Sequence, residues 1–307
     1  MAKARAIVKR RKAVRNIRKI TKTMQMIATA KFQKSLKRAV GTKPYSTKIR
    51  ELVGELAASI GDVDHPLLRR PDAKERTSRI AMLVLTSNRG LAGAYNGSVL
   101  RLANHFLRDE TAAGKTVDLY VSGKKGVNFF NFQKKPITQR VNISDQPRFS
   151  DIEPLAEHLI KEFTSGHVDS VHLASMVFHS AGSQKPQIGT LLPLSKADAA
   201  PGATTGSSQK PGTSAGAGKT TAVYEFSPDP LSLLDELLPL TVKTALFQAF
   251  LDAITSEQVA RMVAMKSATD NADKMVKALT MQYNRARQSQ ITTELSEIMG
   301  GVEAMEG

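Results

Sequence analysis

The stretch from Leu240 to Met299 contains neither Pro nor Gly between those residues and is rich in Ala, Met, Gln, Lys and Glu, which lose least on entering a helix. It predicts one very long helix running to about Val302. At about 1.5 Å per residue, some sixty residues would span on the order of 90 Å, so no single core can bury the whole length. The apolar positions mark a seam instead. Met265, Ala268, Ala272, Met275 and Leu279 recur at alternating steps of 3 and 4, and Gln282 and Ala286 continue the rhythm. Ile291, Leu295, Ile298, Val302 and Met305 resume it in another register. Arg287-Gln288-Ser289-Gln290 falls at the slip. With knobs mostly of Ala and Met, the seam is thin and adaptable, and it requires a partner helix.

The N-terminus offers one. No Asp or Glu occurs before Glu51, while Lys and Arg recur throughout. Ala13, Ile17, Ile20, Met24 and Ile27 keep a heptad-like spacing, and Ala28, Phe32, Leu36 and Ala39 extend an apolar face. Gly41 and Pro44 are candidate kinks, Ile49, Leu52, Val53 and Leu56 restore the pattern, and Gly61 and Pro66 end it. Two thin seams at opposite ends of one chain can pair as an antiparallel coiled coil.

Three readings compete for the basic segment. A mitochondrial presequence is also Arg-rich and amphipathic, but it is Ser-rich and shorter than this seam. A nucleic-acid arm fits the charge and predicts salt-sensitive binding, yet Phe32 and Tyr45 are its only aromatic residues for stacking on bases. A plain solvated face fits any charged helix, but one wholly of one sign and this long is unusual. The net charge of +16 calls for an acidic partner in any case.

Between the helices the texture changes. Ile80–Ser87 is a continuous apolar run that suits a buried parallel strand, followed by the turn Asn88-Arg89-Gly90-Leu91-Ala92-Gly93 and a helix over Ser98–Leu107. Thr116–Ser122 predicts a strand, Lys124–Phe130 a short helix, Ile137–Val141 a weaker strand and Asp151–Phe163 a helix with its acids placed early. Ser170–His179 and Gln187–Leu194 predict a strand pair. Alternation of this kind predicts a small Rossmann-like α/β domain on a largely parallel sheet. Ser195–Thr221 has no large apolar residue and is expected to be a disordered insert. The expected organisation is a helix over 1–65, the α/β domain over 75–194, the insert over 195–221, a linker over 222–239 and the long helix over 240–307.

The sequence presents no argued active site. Gly216-Ala217-Gly218-Lys219-Thr220 mimics the end of a P-loop, but Thr213 stands where the motif needs Gly. Gly90, Gly93 and Gly97 follow a strand without dinucleotide-binding spacing, and shape a turn. None of the six His pairs with another at ligand spacing. No metal or cofactor is expected. The absence of Cys excludes disulfides, thiolate metal sites and thiol catalysis. No run reaches the ~20 uninterrupted apolar residues of a membrane span.

Three blocks carry a resemblance: Ile17–Lys31 (IRKITKTMQMIATAK), Thr86–Asn96 (TSNRGLAGAYN) and Ser256–Gly301, with EQVARMVAMKSATDNA, YNRARQ and ITTELSEIMGG. The chain closely resembles γ subunits of F-type ATP synthases over nearly its whole length apart from the insert. The resemblance implies a fold in which the terminal helices form an antiparallel coiled coil, a rotating shaft, with the α/β domain at its foot. The implied partners are the α and β subunits of the catalytic ring, the ε subunit and the membrane-embedded c ring, with no nucleic acid. Catalysis belongs to the ring, so this chain is expected to transmit torque without being an enzyme itself. Lys22, Met24 and Arg261 would face β subunits, Arg287 and Gln288 match residues thought to engage a β loop, and Tyr224 opens a segment similar to the family's foot near the c ring. Ala92 stands where members often carry Cys, and the regulatory Cys pair of chloroplast members is missing. The family's first motif begins close to Met1, so no targeting peptide is expected. The implied location is the cytoplasmic face of a bacterial plasma membrane, as a peripheral protein.

Overall fold

The computed structural model describes residues 2–60, 65–68, 77–194 and 230–306. It divides into two compact units, residues 1–31 with 260–307 and residues 32–259. Two helices contribute to both: α1 (Ala2–Ile60), which passes through Gly41 and Pro44 without a break, and α5 (Pro230–Glu306), which starts ten residues before Leu240 and runs through Pro239.

In the first unit α1 and α5 pair antiparallel, for Thr21 bonds Thr269 while Arg11 lies over Tyr283. The α1 positions turned inward are Ile7, Val14, Thr21 and Ala28, one per heptad. Opposite them stand Met265, Thr269, Ala272, Val276 and Leu279, with half-buried Tyr283, Ala286 and Gln290 continuing the ladder. This corrects the predicted seam by one residue at alternate rungs. Thr269 replaces Ala268, Val276 replaces Met275 and Tyr283 replaces Gln282. No slip occurs at Arg287-Gln288-Ser289, which is exposed beside an uninterrupted ladder.

The second unit is built on a five-stranded sheet ordered β3-β2-β1-β4-β5. Its strands are β1 (Arg79–Leu85), β2 (Thr116–Ser122), β3 (Gln139–Val141), β4 (Ser170–Ser180) and β5 (Ser183–Leu192). The first four are parallel and β5 returns antiparallel to β4. The connecting helices are α2 (Tyr95–Ala112), α3 (Lys124–Phe132) and α4 (Phe149–Thr164). β1 is buried on both faces, as its unbroken apolar run requires. Ala81, Leu83 and Leu85 share a core with Ile152, Ala156 and Leu159 of α4 and with Leu234, Leu238, Val242 and Leu246 of α5. Alternation turns Ile80, Met82 and Val84 to the opposite face. The fourfold spacing on α5 makes one continuous apolar ridge there. By length and composition α5 is apolar enough to cross a membrane, but its apolar stretch is that buried ridge.

Candidate interaction surface

The outer face of α1 in the first unit joins two properties. Lys9, Arg10, Lys12, Arg15, Lys19 and Lys22 are exposed. Among them Ile17, Ile20 and Ile27 lie 53%, 59% and 52% exposed. With half-buried Met24 they recur at steps of 3 and 4, so the predicted N-terminal seam is a real apolar stripe directed away from α5. Contiguous exposed aliphatic side chains on a helix mark a surface that another molecule covers. On α5, Ile291, Leu295, Ile298, Val302 and Met305 are also exposed. The pairing explains this second patch: Arg11 stands level with Tyr283, so α1 is nearly used up where α5 reaches Ile291.

Charge within the pair is partly neutralised. Arg18 is ion-paired with Asp273, and the Arg11 guanidinium lies 5.0 Å from the Tyr283 ring centroid. The remaining cations of α1 leave its exterior strongly positive.

The structure brings Lys22, Met24 and Arg261 into the first unit, with Lys22 exposed and the other two half-buried. Arg287 and Gln288 are exposed on the same unit but lie about 27 Å farther along α5 than Thr269, so they form a separate group. The Gln288 carbonyl accepts the Thr292 hydroxyl at 3.0 Å. Tyr224, the insert and the P-loop-like run lie outside the described residues.

The block Thr86–Asn96 is a turn that fastens the carboxyl end of β1. Asn96 Oδ1 accepts from the Ser87 backbone N–H at 3.0 Å, and Asn88 Oδ1 accepts from the Lys124 N–H at 3.3 Å. Leu91 and Gly93 take positive φ values of 63° and 54°. Sequence reasoning missed the two glycines that fit against this turn. A Cβ on Gly123, whose φ is +93°, would lie 2.1 Å from the Thr86 carbonyl oxygen, and one on Gly126 2.7 Å from Thr86 Oγ1. The close approach lets Thr86 Oγ1 donate to the Ser122 carbonyl at 2.7 Å and accept from the Gly126 N–H at 2.9 Å. No signal in the local sequence distinguishes these glycines, because their neighbour lies forty residues away.

Open sheets of this topology bind nucleotides in the crevice beyond the carboxyl ends of their strands. Here Phe250, Ala253, Ile254 and Glu257 of α5 close over that crevice and leave a cavity of about 30 Å³ lined by Thr86, Asn88 and Asp145. That is room for a water or two.

Five of the six histidines, all but His179, have local partners among the described residues. His158 Nε2 lies 3.3 Å from the Tyr120 hydroxyl, and His172 lies 2.9 Å from the Ser170 hydroxyl, its pKa lowered by burial. His65 Nδ1 accepts the Leu67 N–H at 3.1 Å, and burial lowers its pKa too. Among the described residues no group of three His, Cys, Asp or Glu is placed to hold a metal.

A family model described as ATP synthase matches residues 3–305. An ATP synthase gamma chain of Rhodopirellula baltica is 45% identical over the whole of both chains. One of Leptospira biflexa is 39% identical over 99% of this chain and all of the other. A chain in the Euglena gracilis mitochondrial ATP synthase OSCP/F1/c-ring assembly, in rotational state 3, superposes with a TM-score of 0.62 at 18% identity. That alignment covers 99% of this chain and 95% of that one, a likeness of fold.

Proposed function

Because the chain belongs to the ATP synthase family, among its γ chains, we propose that it is a rotating central stalk without an active site of its own. It couples ion flow through a membrane-embedded c ring to ATP synthesis and hydrolysis at the β subunits. The observation that carries this reading is the helix pair of residues 1–31 and 260–307, whose internal seam is thin and whose exterior is cationic and striped with aliphatic side chains. A shaft in a bearing needs that combination. Positive charge attracts acidic loops at long range without fixing one orientation, and aliphatic side chains give contact without directional bonds that would have to break at each step.

Lys22, Met24 and Arg261 form one group of contacts with the ring of α and β subunits. Arg287 and Gln288 form a second, farther along α5, against a β-subunit loop. Tyr224 belongs to the surface that meets the c ring, and the ε subunit is the further stalk partner. The protein sits peripherally at the cytoplasmic face of a bacterial plasma membrane. Asymmetry of the shaft, with the aliphatic stripe on one side of α1, supports the idea that the three β sites are held in different states as it turns.

The chain has no Cys, so His105→Cys, on an exposed face of α2, gives a unique attachment point. A bead fixed there should rotate in one direction when the surrounding ring is immobilised and supplied with ATP. Hydrolysis by the assembled complex with the bead stationary would overturn the proposal.

A further inference from the structure

Between the β4–β5 hairpin and the parts of α1 and α5 in the same unit lies a pocket of about 170 Å³. At about 15 Å³ for each water-sized position, it admits a molecule of about ten non-hydrogen atoms. Leu173, Val177 and Leu191 give it an aliphatic wall, and Arg50, Gln248 and Asp252 stand in the same lining.

Among these polar groups Gln248 lacks a partner that it requires. Gln248 Nε2 donates to Asp252 Oδ1 at 3.0 Å, which fixes the amide so that Oε1 is left as an acceptor. That Oε1 is buried and has no hydrogen-bond partner among the described residues. The Asp252 carboxyl is pushed up to about 6 because desolvation outweighs both the Gln248 hydrogen bond and the attraction of Lys43. Neither the Asp252 carboxylate nor the Arg50 guanidinium has an ion-pair partner among the described residues. A buried acceptor without a donor, and a carboxylate that burial has desolvated, are costly arrangements.

We infer that the pocket binds a small zwitterion of the aliphatic amino-acid class, its ammonium held by Asp252 and Gln248 Oε1, its carboxylate by Arg50 and its side chain by Leu173, Val177 and Leu191. A simple amine would leave Arg50 unanswered. A simple carboxylic acid would leave Asp252 and Gln248 as they are, and a nucleotide exceeds the volume. The site is separate from the surfaces assigned to rotation, and its occupancy does not depend on that assignment.

The test is isothermal titration calorimetry of L-leucine into the assembled complex containing the full chain. Saturable binding at one site per copy of this chain is expected. Isopentylamine and 4-methylpentanoate, each lacking one charged end, should bind at least about tenfold more weakly, as should leucine to the Asp252→Asn and Arg50→Met variants. No saturation by about 10 mM leucine, a weaker affinity than any aliphatic site of this size should show, would overturn the inference. So would equal binding of the three ligands, or heat unchanged by both substitutions, which places any binding on other subunits. If a variant fails to assemble, the ligand series on the unaltered complex decides.

Discussion

Residues 32–259 and residues 1–31 with 260–307 use the same two helices in opposite ways. In the former, α5 presents Leu234, Leu238, Val242 and Leu246 to a sheet and two further helices, and all four are essentially inaccessible. In the latter, the same helix meets one partner through Met265, Thr269, Ala272 and Leu279, while aliphatic side chains on the outside stay in water. Stability is concentrated where the helices join a layered core. The exposed pair is marginal by itself and becomes well determined only when something encloses it. This difference separates a self-contained layered core from a helix pair that leaves its outer aliphatic side chains exposed.

The largest expected effect comes from truncating one side chain in each region. Leu238→Ala removes a fully buried side chain from a close-packed core and should cost about 3 kcal/mol. Leu279→Ala should cost about 2 kcal/mol, because the thin seam can collapse around the loss. Native-state hydrogen exchange reads the two stretches of α5 separately. Equal losses in both would mean that the regions unfold as one unit and that the contrast is false.

The titration of Asp252 gives the next effect, again within residues 32–259. Its carboxyl is raised from 3.8 to about 6 by burial, so the folded state binds the proton more tightly than the unfolded chain does. The stability from this group is therefore fully present below about pH 3.8 and is lost as pH rises through about 6. Asp252→Asn should stabilise the protein at pH 8 by about 2 kcal/mol relative to its effect at pH 4.5. Urea unfolding of both proteins at the two pH values measures that difference. A constant offset would show that the carboxylate is solvated.

These particulars also show what a sequence makes visible. The run Ile80–Leu85 announces a strand buried on both faces, and the observed Thr116–Ser122 strand coincides with its prediction because its flanking polar residues leave no alternative register. The α/β order is legible for the same reason. The seam of the helix pair is not. Thr21 and Thr269 sit inside it while Ile17 and Ile20 sit outside, so a search for apolar periodicity selects the outward face of the pair. The resemblance named Lys22, Met24, Arg261, Arg287 and Gln288, yet their division into two groups follows only from the observed pairing of α1 with α5. Gly123, Gly126 and the Arg50–Asp252 pocket are formed by approaches between distant segments, which leave no local periodicity to read.

Thr21 and Thr269 join the two helices inside the seam itself. Their hydroxyls are 2.8 Å apart and buried; Thr269 donates its one proton to Thr21 Oγ1, which in turn donates to the Arg18 carbonyl at 3.1 Å. Thr269→Val should cost about 1 kcal/mol by leaving the Thr21 hydroxyl short of its partner. Adding Thr21→Val should recover part of that loss. Strict additivity in the double-mutant cycle would show that the pair does not set the register of the two helices.

The smallest expected effect concerns Arg18 and Asp273. Their ion pair joins the helices at a point where the two side chains remain 50% and 43% exposed, so water and salt screen most of the attraction. Arg18→Ala should change the stability of the helix pair by no more than about 0.5 kcal/mol, and the change should fade in 1 M salt. The same substitution also removes one positive charge from the exterior offered to an acidic partner. Its effect on the rate of assembly with that partner at low salt should exceed its effect on unfolding, since rim charges act on association more than on the fold. A loss of stability larger than the loss in association rate would place Arg18 in the seam's own energetics and take it out of the outward-facing surface.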